Sequence, residues 1–117
     1  MRENVVKIKS FAFAVRIVKL YQFLCEQKKE FVLLKQLLRS GTSVGAMIRE
    51  AEHAESRNDF KHKMGIAQKE INETIYWLEL LKETDYITEE LFESIYNDAV
   101  EIIKLTTAIL KSAKNKG

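Results

Sequence analysis

The stretch RSGTSVGAMIREA, residues 39–51, places two glycines, two serines, a threonine and two alanines in thirteen positions. It interrupts a chain that otherwise reads as long amphipathic helix. A glycine inside a helix costs about 1 kcal/mol relative to alanine, because more backbone freedom is lost on folding. Gly41 and Gly45 are four residues apart and so share one helical face, with Ser40, Thr42 and Ser43 beside them. That cost is offset where a second helix comes near enough to pack backbone against backbone. Gly41, Gly45, Ser40 and Ser43 are therefore read as the positions of a helix–helix close contact within a continuous helix. The alternative is that Gly41 ends one helix and Thr42 or Ser43 caps the next.

Outward from this stretch the apolar residues keep helical spacing. A first segment runs from about Ile8 to Gln27, with Phe11, Val15, Val18 and Cys25 on one stripe and Phe13, Ile17, Leu20 and Leu24 on a second. Two stripes suit a helix with two neighbours. A second segment runs from about Phe31 to Glu55, carrying Leu34, Leu37, Leu38, Val44, Met47, Ile48, Ala51 and Ala54 through the glycines. A third follows the polar run ESRND, with Ser56 or Asn58 as its N-cap, and extends to about Thr84. Thr88 caps a fourth, which Leu91, Ile95, Ala99, Ile102, Leu105, Ile109 and Ala113 carry toward the C-terminus. Short connections make sequential helices antiparallel neighbours. The predicted fold is all-α, a single domain over residues 1–117 built as an up-down-up-down four-helix bundle.

Composition agrees. The chain has 117 residues, 46% hydrophobic and 31% charged, with no proline and one cysteine. Proline costs about 3 kcal/mol inside a helix, so its absence suits a chain that is mostly helix. Cys25 alone forms no intramolecular disulfide. The N-terminus sets charge before apolar residues, but Arg16 and Lys19 interrupt the apolar region as no signal peptide does. The longest uncharged run, SGTSVGAMI, has nine residues, far below the roughly 20 that span a bilayer. The expected location is cytoplasmic, with no membrane partner.

Charge is uneven although the net value is only +2. Residues 1–40 carry nine Lys/Arg against three acids, residues 41–100 six against thirteen, and residues 101–117 four against one. Two readings are open: solvated helix faces, or basic ends that meet a polyanion or an acidic neighbouring subunit. For a polyanion the candidate contacts are Arg16, Lys19, Lys111, Lys114 and Lys116. First and fourth helices are neighbours in this topology, so these residues are expected to share a surface.

Catalytic and metal chemistry find little support. A di-iron bundle needs Glu-x-x-His on two helices and two further inward carboxylates at mid-bundle. Glu50-x-x-His53 and Asp59-x-x-His62 instead flank one short connection. No metal and no cofactor are expected. Glu70 and Glu73 lie among apolar residues on the third helix, where Arg39 of the second can supply donors. These three are read as a buried polar network that fixes helix register. No nucleophile stands with a base and an oxyanion site, and Gly41 and Gly45 lack a phosphate-binding lysine. The chain is expected not to be an enzyme. Tyr76 and Trp77 are adjacent, so one of them faces away from the core.

LLRSGTSVGAMIREA (37–51), followed by DFKHKMGIAQKEINETIYWLELL (59–81), resembles a four-helix-bundle family first noted as open reading frames in intervening sequences of bacterial 23S ribosomal RNA genes. The similarity reaches back to KSFAFAVRIVKLY (9–21). Met47 departs from the family, whose members often carry asparagine there, so a polar role at that position is not carried over. The resemblance implies a small cytoplasmic bundle that self-associates as a ring-like homopentamer. A similar bundle is the accessory variability determinant of diversity-generating retroelements, which associates with reverse transcriptase and nucleic acid. The implied function is a non-enzymatic oligomeric module partnered by nucleic acid or a nucleic-acid enzyme. The alternative is a homo-oligomeric protein–protein scaffold without nucleic-acid binding.

Overall fold

Four helices form: α1 (Arg2–Lys28), α2 (Val32–Glu52), α3 (Arg57–Glu83) and α4 (Glu89–Asn115). They are seen in a computed structural model that describes residues 1–28 and 31–115. Contacts run α1 to α2, α2 to α3, α3 to α4 and α4 back to α1, which makes an up-down-up-down bundle 48 Å long and about 20 Å across. Among the described residues there is no strand. α1 and α3 therefore run parallel at diagonal corners.

Each helix end has a local cause. α1 begins at Arg2 rather than near Ile8, because buried Val6 extends the inward stripe of Phe13, Ile17, Leu20 and Leu24. α2 stops at Glu52, where the N–H groups of His53 and Ala54 tighten onto the carbonyls of Glu50 and Ala51. Ser56, not Asn58, caps α3: its hydroxyl accepts from the Asp59 N–H at 3.0 Å, while the Asp59 carboxylate accepts from the Glu55 N–H at 3.2 Å. Thr88 accepts from the Leu91 N–H at 3.1 Å, and Glu89 and Glu90 complement the start of α4. Between α3 and α4, Tyr86 N–H donates to the Leu81 carbonyl and Asp85 N–H to that of Lys82. This is a Schellman turn with Asp85 at φ 65° in the place glycine usually takes.

α2 is continuous through the small-residue stretch. A methyl group added at Gly41 would lie 2.8 Å from Ile17 Cγ2 and 2.9 Å from its Cγ1. A β-branched side chain has little freedom to turn away. At Gly45 the added methyl would meet Ser10 at ordinary contact distance, its carbonyl oxygen at 3.4 Å, its carbonyl carbon at 3.5 Å and its hydroxyl at 3.6 Å. The close contact is therefore centred on Gly41, with Gly45 an ordinary approach. Two predicted members of the contact do other things. Ser40 is buried toward α3, its hydroxyl 2.9 Å from that of Thr74. Ser43 is only half-buried and donates to the Arg39 carbonyl at 2.7 Å. Hydroxyls in a helix settle on the carbonyl one turn back when no neighbour offers a partner.

The three interior glycines separate these effects. Gly41→Ala is expected to lower stability by about 1–3 kcal/mol through overpacking against Ile17. Gly65 on α3 has nothing within 4 Å of an added methyl, so Gly65→Ala gains helix propensity, up to ~1 kcal/mol. Gly45→Ala falls between them. Urea melts that ranked the three alike would contradict this assignment.

Candidate interaction surfaces

The polar residues read from the sequence do meet, along the seam between α2 and α3. Arg39 Nη1 donates to Glu70 Oε2 at 3.1 Å, and Nη2 to Glu73 Oε2. The same Glu73 oxygen accepts from the Trp77 indole N–H at 3.1 Å. The hydrogen bond to Glu73, aided by the charges of both carboxylates and opposed by burial, holds the Arg39 guanidinium above its ordinary value. The expectation of burial is corrected: half of the Arg39 side chain is exposed and only Glu70 lies deep. A long guanidinium side chain from α2 reaches the two acids at the rim of the seam. Beneath it the buried polar pair is Ser40 with Thr74, whose hydroxyl also donates to the Glu70 carbonyl at 2.7 Å. Sequence reasoning did not reach Trp77 as a partner, although its i,i+4 spacing from Glu73 signals it. Tyr76 is the member of the aromatic pair that faces out. Chemically the seam is a clamp, since its two carboxylates share one cation and an indole and face no nucleophile.

Glu73→Ala removes the acceptor of both Arg39 and Trp77. A loss of about 1 kcal/mol is expected, typical of one charge-assisted hydrogen bond discounted for exposure. Trp77 is the sole tryptophan, so its emission should shift to the red as the indole N–H turns to water. Unchanged emission would mean that Glu73 does not hold the ring.

The basic residues divide differently from the sequence expectation. Arg16 Nη1 pairs with Asp98 at 2.8 Å and its Nη2 donates to the Ser94 hydroxyl at 2.7 Å. Lys9 pairs with Glu101, and Lys7 with Glu52 at 2.8 Å. The Lys7 ammonium holds the Glu52 carboxyl below the ordinary carboxylate range, so that contribution to stability is present above the unfolded pKa and is lost as pH falls. Lys19 is exposed near the level of Ser94, whereas Lys111 lies seventeen residues further along α4, roughly 25 Å away at 1.5 Å per residue. Lys111 and Lys114 are exposed at the far end. Lys116 lies outside the described residues. Among the described residues one shared basic surface does not form, because Glu52, Asp98 and Glu101 on the helices beside α1 pair with its basic side chains.

The outer face of α1 is apolar and uncovered. Ile8 is 69% and Phe11 55% exposed, and Val5 and Val15 stand beside them. A shallow groove of about 220 Å³ runs next to this stripe, floored by Ser10, Ala14, Gly45 and Ala46. The Arg49 guanidinium lies 5.2 Å from the centre of the Phe11 ring on its rim. A larger open cleft of about 840 Å³ at the bundle end brings together Arg2, Arg57, Phe60 and Ile109. Among the described residues no three His, Cys, Asp or Glu side chains converge to hold a metal ion. Of the candidate motif residues, Glu50 pairs with Lys63 at 3.2 Å, Asp59 serves the α3 cap, and His53 is exposed. Among the described residues no helix is long and apolar enough to cross a membrane.

Known proteins provide an independent comparison. No curated protein matches the chain. A crystal structure of a protein of unknown function from the S23 ribosomal protein family of Bacteroides thetaiotaomicron VPI-5482 is 64% identical. That match covers 95% of this chain and 99% of the other, with a TM-score of 0.94. The model of the family described as 23S rRNA-intervening sequence protein matches residues 2–108. With the four-helix bundle and the small-residue stretch of α2 both in place, the chain belongs to the 23S rRNA-intervening sequence protein family.

Proposed function

We propose that this chain is a non-enzymatic, self-associating helical module that serves as a protein scaffold. The observation that carries the reading is the uncovered apolar stripe of Val5, Ile8, Phe11 and Val15 on a helix already packed on its other side. Contiguous exposed apolar surface marks an interaction site more often than a solvated face. The resemblance to ring-forming homopentamers points to further copies of the chain as the first occupant. The absence of catalytic work is supported by the seam, where Arg39, Glu70, Glu73 and Trp77 satisfy one another. Light scattering at micromolar concentration should return a multiple of 13.6 kDa, fivefold on the family resemblance. A mass of 13.6 kDa would end this reading.

A second reading, contact with nucleic acid, is favoured by one specific feature. Lys61 on α3 and Lys104, Lys111 and Lys114 on α4 make no ion pair among the described residues, and all lie in the half of the bundle that holds the C-terminus of α4. Repeated around an assembly, weak contacts of this kind become multivalent. They would engage phosphates with little base selectivity and weaken steeply with salt. Anisotropy with single- and double-stranded probes between about 50 and 200 mM salt tests this. Binding at the low end that falls in a Lys111→Glu, Lys114→Glu variant supports a nucleic-acid module. No binding at low salt leaves the protein scaffold.

A further inference from the structure

We infer that the outer face of α1 in one copy docks on the outer face of α3 in the next copy, in parallel register. Ile8 sits over Gly65, and Lys19 lies against Tyr76 and Glu79. The inference rests on the self-association proposed above and names the two surfaces that meet.

Three observations converge on it. First, α3 has a glycine that nothing inside the chain explains. Gly65 is in the interior of a 27-residue helix, and a methyl group there would meet nothing within 4 Å. An interior glycine costs a helix about 1 kcal/mol, and at Gly41 close approach of a second helix is what offsets it. Second, the heights match. Ile17 and Thr74 meet α2 at the adjacent residues Gly41 and Ser40, so they stand at nearly one level of the bundle. Nine residues back along the two parallel helices, Ile8 is level with Gly65. Two residues back, Val15 is level with Asn72, and two residues forward, Lys19 is level with Tyr76. Lys69, on the same face of α3, is level with Ala12; its aliphatic stem can lie along the apolar stripe with the ammonium in solvent.

Third, the charges are complementary. Lys7, Lys9 and Arg16 of α1 are paired within the chain, and Lys19 stands beyond Val15 on the outer stripe. On α3, Arg39 takes Glu70 and Glu73 and Lys82 takes Glu83, which leaves Glu79 on the outer face. Lys19 and Glu79 are both exposed, neither has an ion-pair partner among the described residues, and they fall about one helical turn apart in this register.

α1 and α3 occupy diagonal corners, so the two faces point away from each other. Joining unlike faces head to tail is a heterologous contact, and a rotation about an axis parallel to the bundle repeats it and closes a ring. Gly65 then has the role between chains that Gly41 has within one.

The test uses the full chain. Ile8→Glu alters an exposed position and Gly65→Arg a half-buried one with open space beside it, so thermal melts should stay close to those of the wild type. Each should raise the dissociation constant of the assembly by about tenfold or more. Mixed in equal amounts, the two should form a two-chain species, because one supplies an intact α3 face and the other an intact α1 face. Lys19→Glu and Glu79→Lys should each weaken assembly, and the double variant should recover it. A monomeric wild type would remove self-association and this pairing together. An oligomeric wild type whose Gly65→Arg variant assembles undiminished would overturn the pairing alone, as would two variants that never complement each other.

Discussion

At Gly41 the backbone of α2 lies against the branched side chain of Ile17, with no room for one more methyl group. That contact sets how near α1 comes to α2, and much of the molecule follows from it. With α2 drawn against α1, Ser40 turns to α3 and meets Thr74, while Arg39 clears the rim and reaches Glu70 and Glu73. Backbone proximity on one side of α2 and a polar clamp on the other fix its rotation. A helix seated this way has two discrete neighbours and little freedom to slide, because each hydroxyl and carboxylate has a partner at one register only.

The same contact explains why α1 is apolar on more than one side. Its inward stripe, Val6, Phe13, Ile17, Leu20 and Leu24, is consumed by the core. Toward α4 it relies on ion pairs, Arg16 with Asp98 and Lys9 with Glu101. The remaining apolar residues, Ile8, Phe11 and Val15, stay exposed on the outer face, where Arg49 lies over the Phe11 ring. Apolar residues left on an outer face mark a surface suited to a further contact. Function, on this view, resides in faces rather than in a pocket.

The four helices were legible because their apolar residues recur at the helical period and because Ser56 and Thr88 are good caps. The meeting of Arg39 with Glu70 and Glu73 was legible too, since antiparallel neighbours bring those positions together. Its exposure was not, because spacing says which side chains meet and not how far a long side chain extends past the rim. The two stripes of α1 suggest two neighbours inside the bundle. Only Phe13, Ile17, Leu20 and Leu24 became core; Phe11 and Val15 did not. An amphipathic pattern records that a face is to be buried without recording whether the cover comes from the same chain. Arg16 misled for a similar reason. Its charge was counted with its own helix, whereas Asp98 and Ser94, which neutralise it, lie about eighty positions away and reach it only through the fold.

The most direct measurement on the Gly41–Ile17 contact is a double-mutant cycle in urea. Gly41→Ala alone overpacks the interface, and Ile17→Ala alone leaves a cavity. Together the added methyl occupies space that the isoleucine has vacated. The double variant is expected to be less destabilised than the sum of the singles by about 1 kcal/mol or more, within the range seen for residues in direct contact. Strict additivity would contradict the account, because it would mean that α2 does not depend on the missing side chain at Gly41 to approach α1.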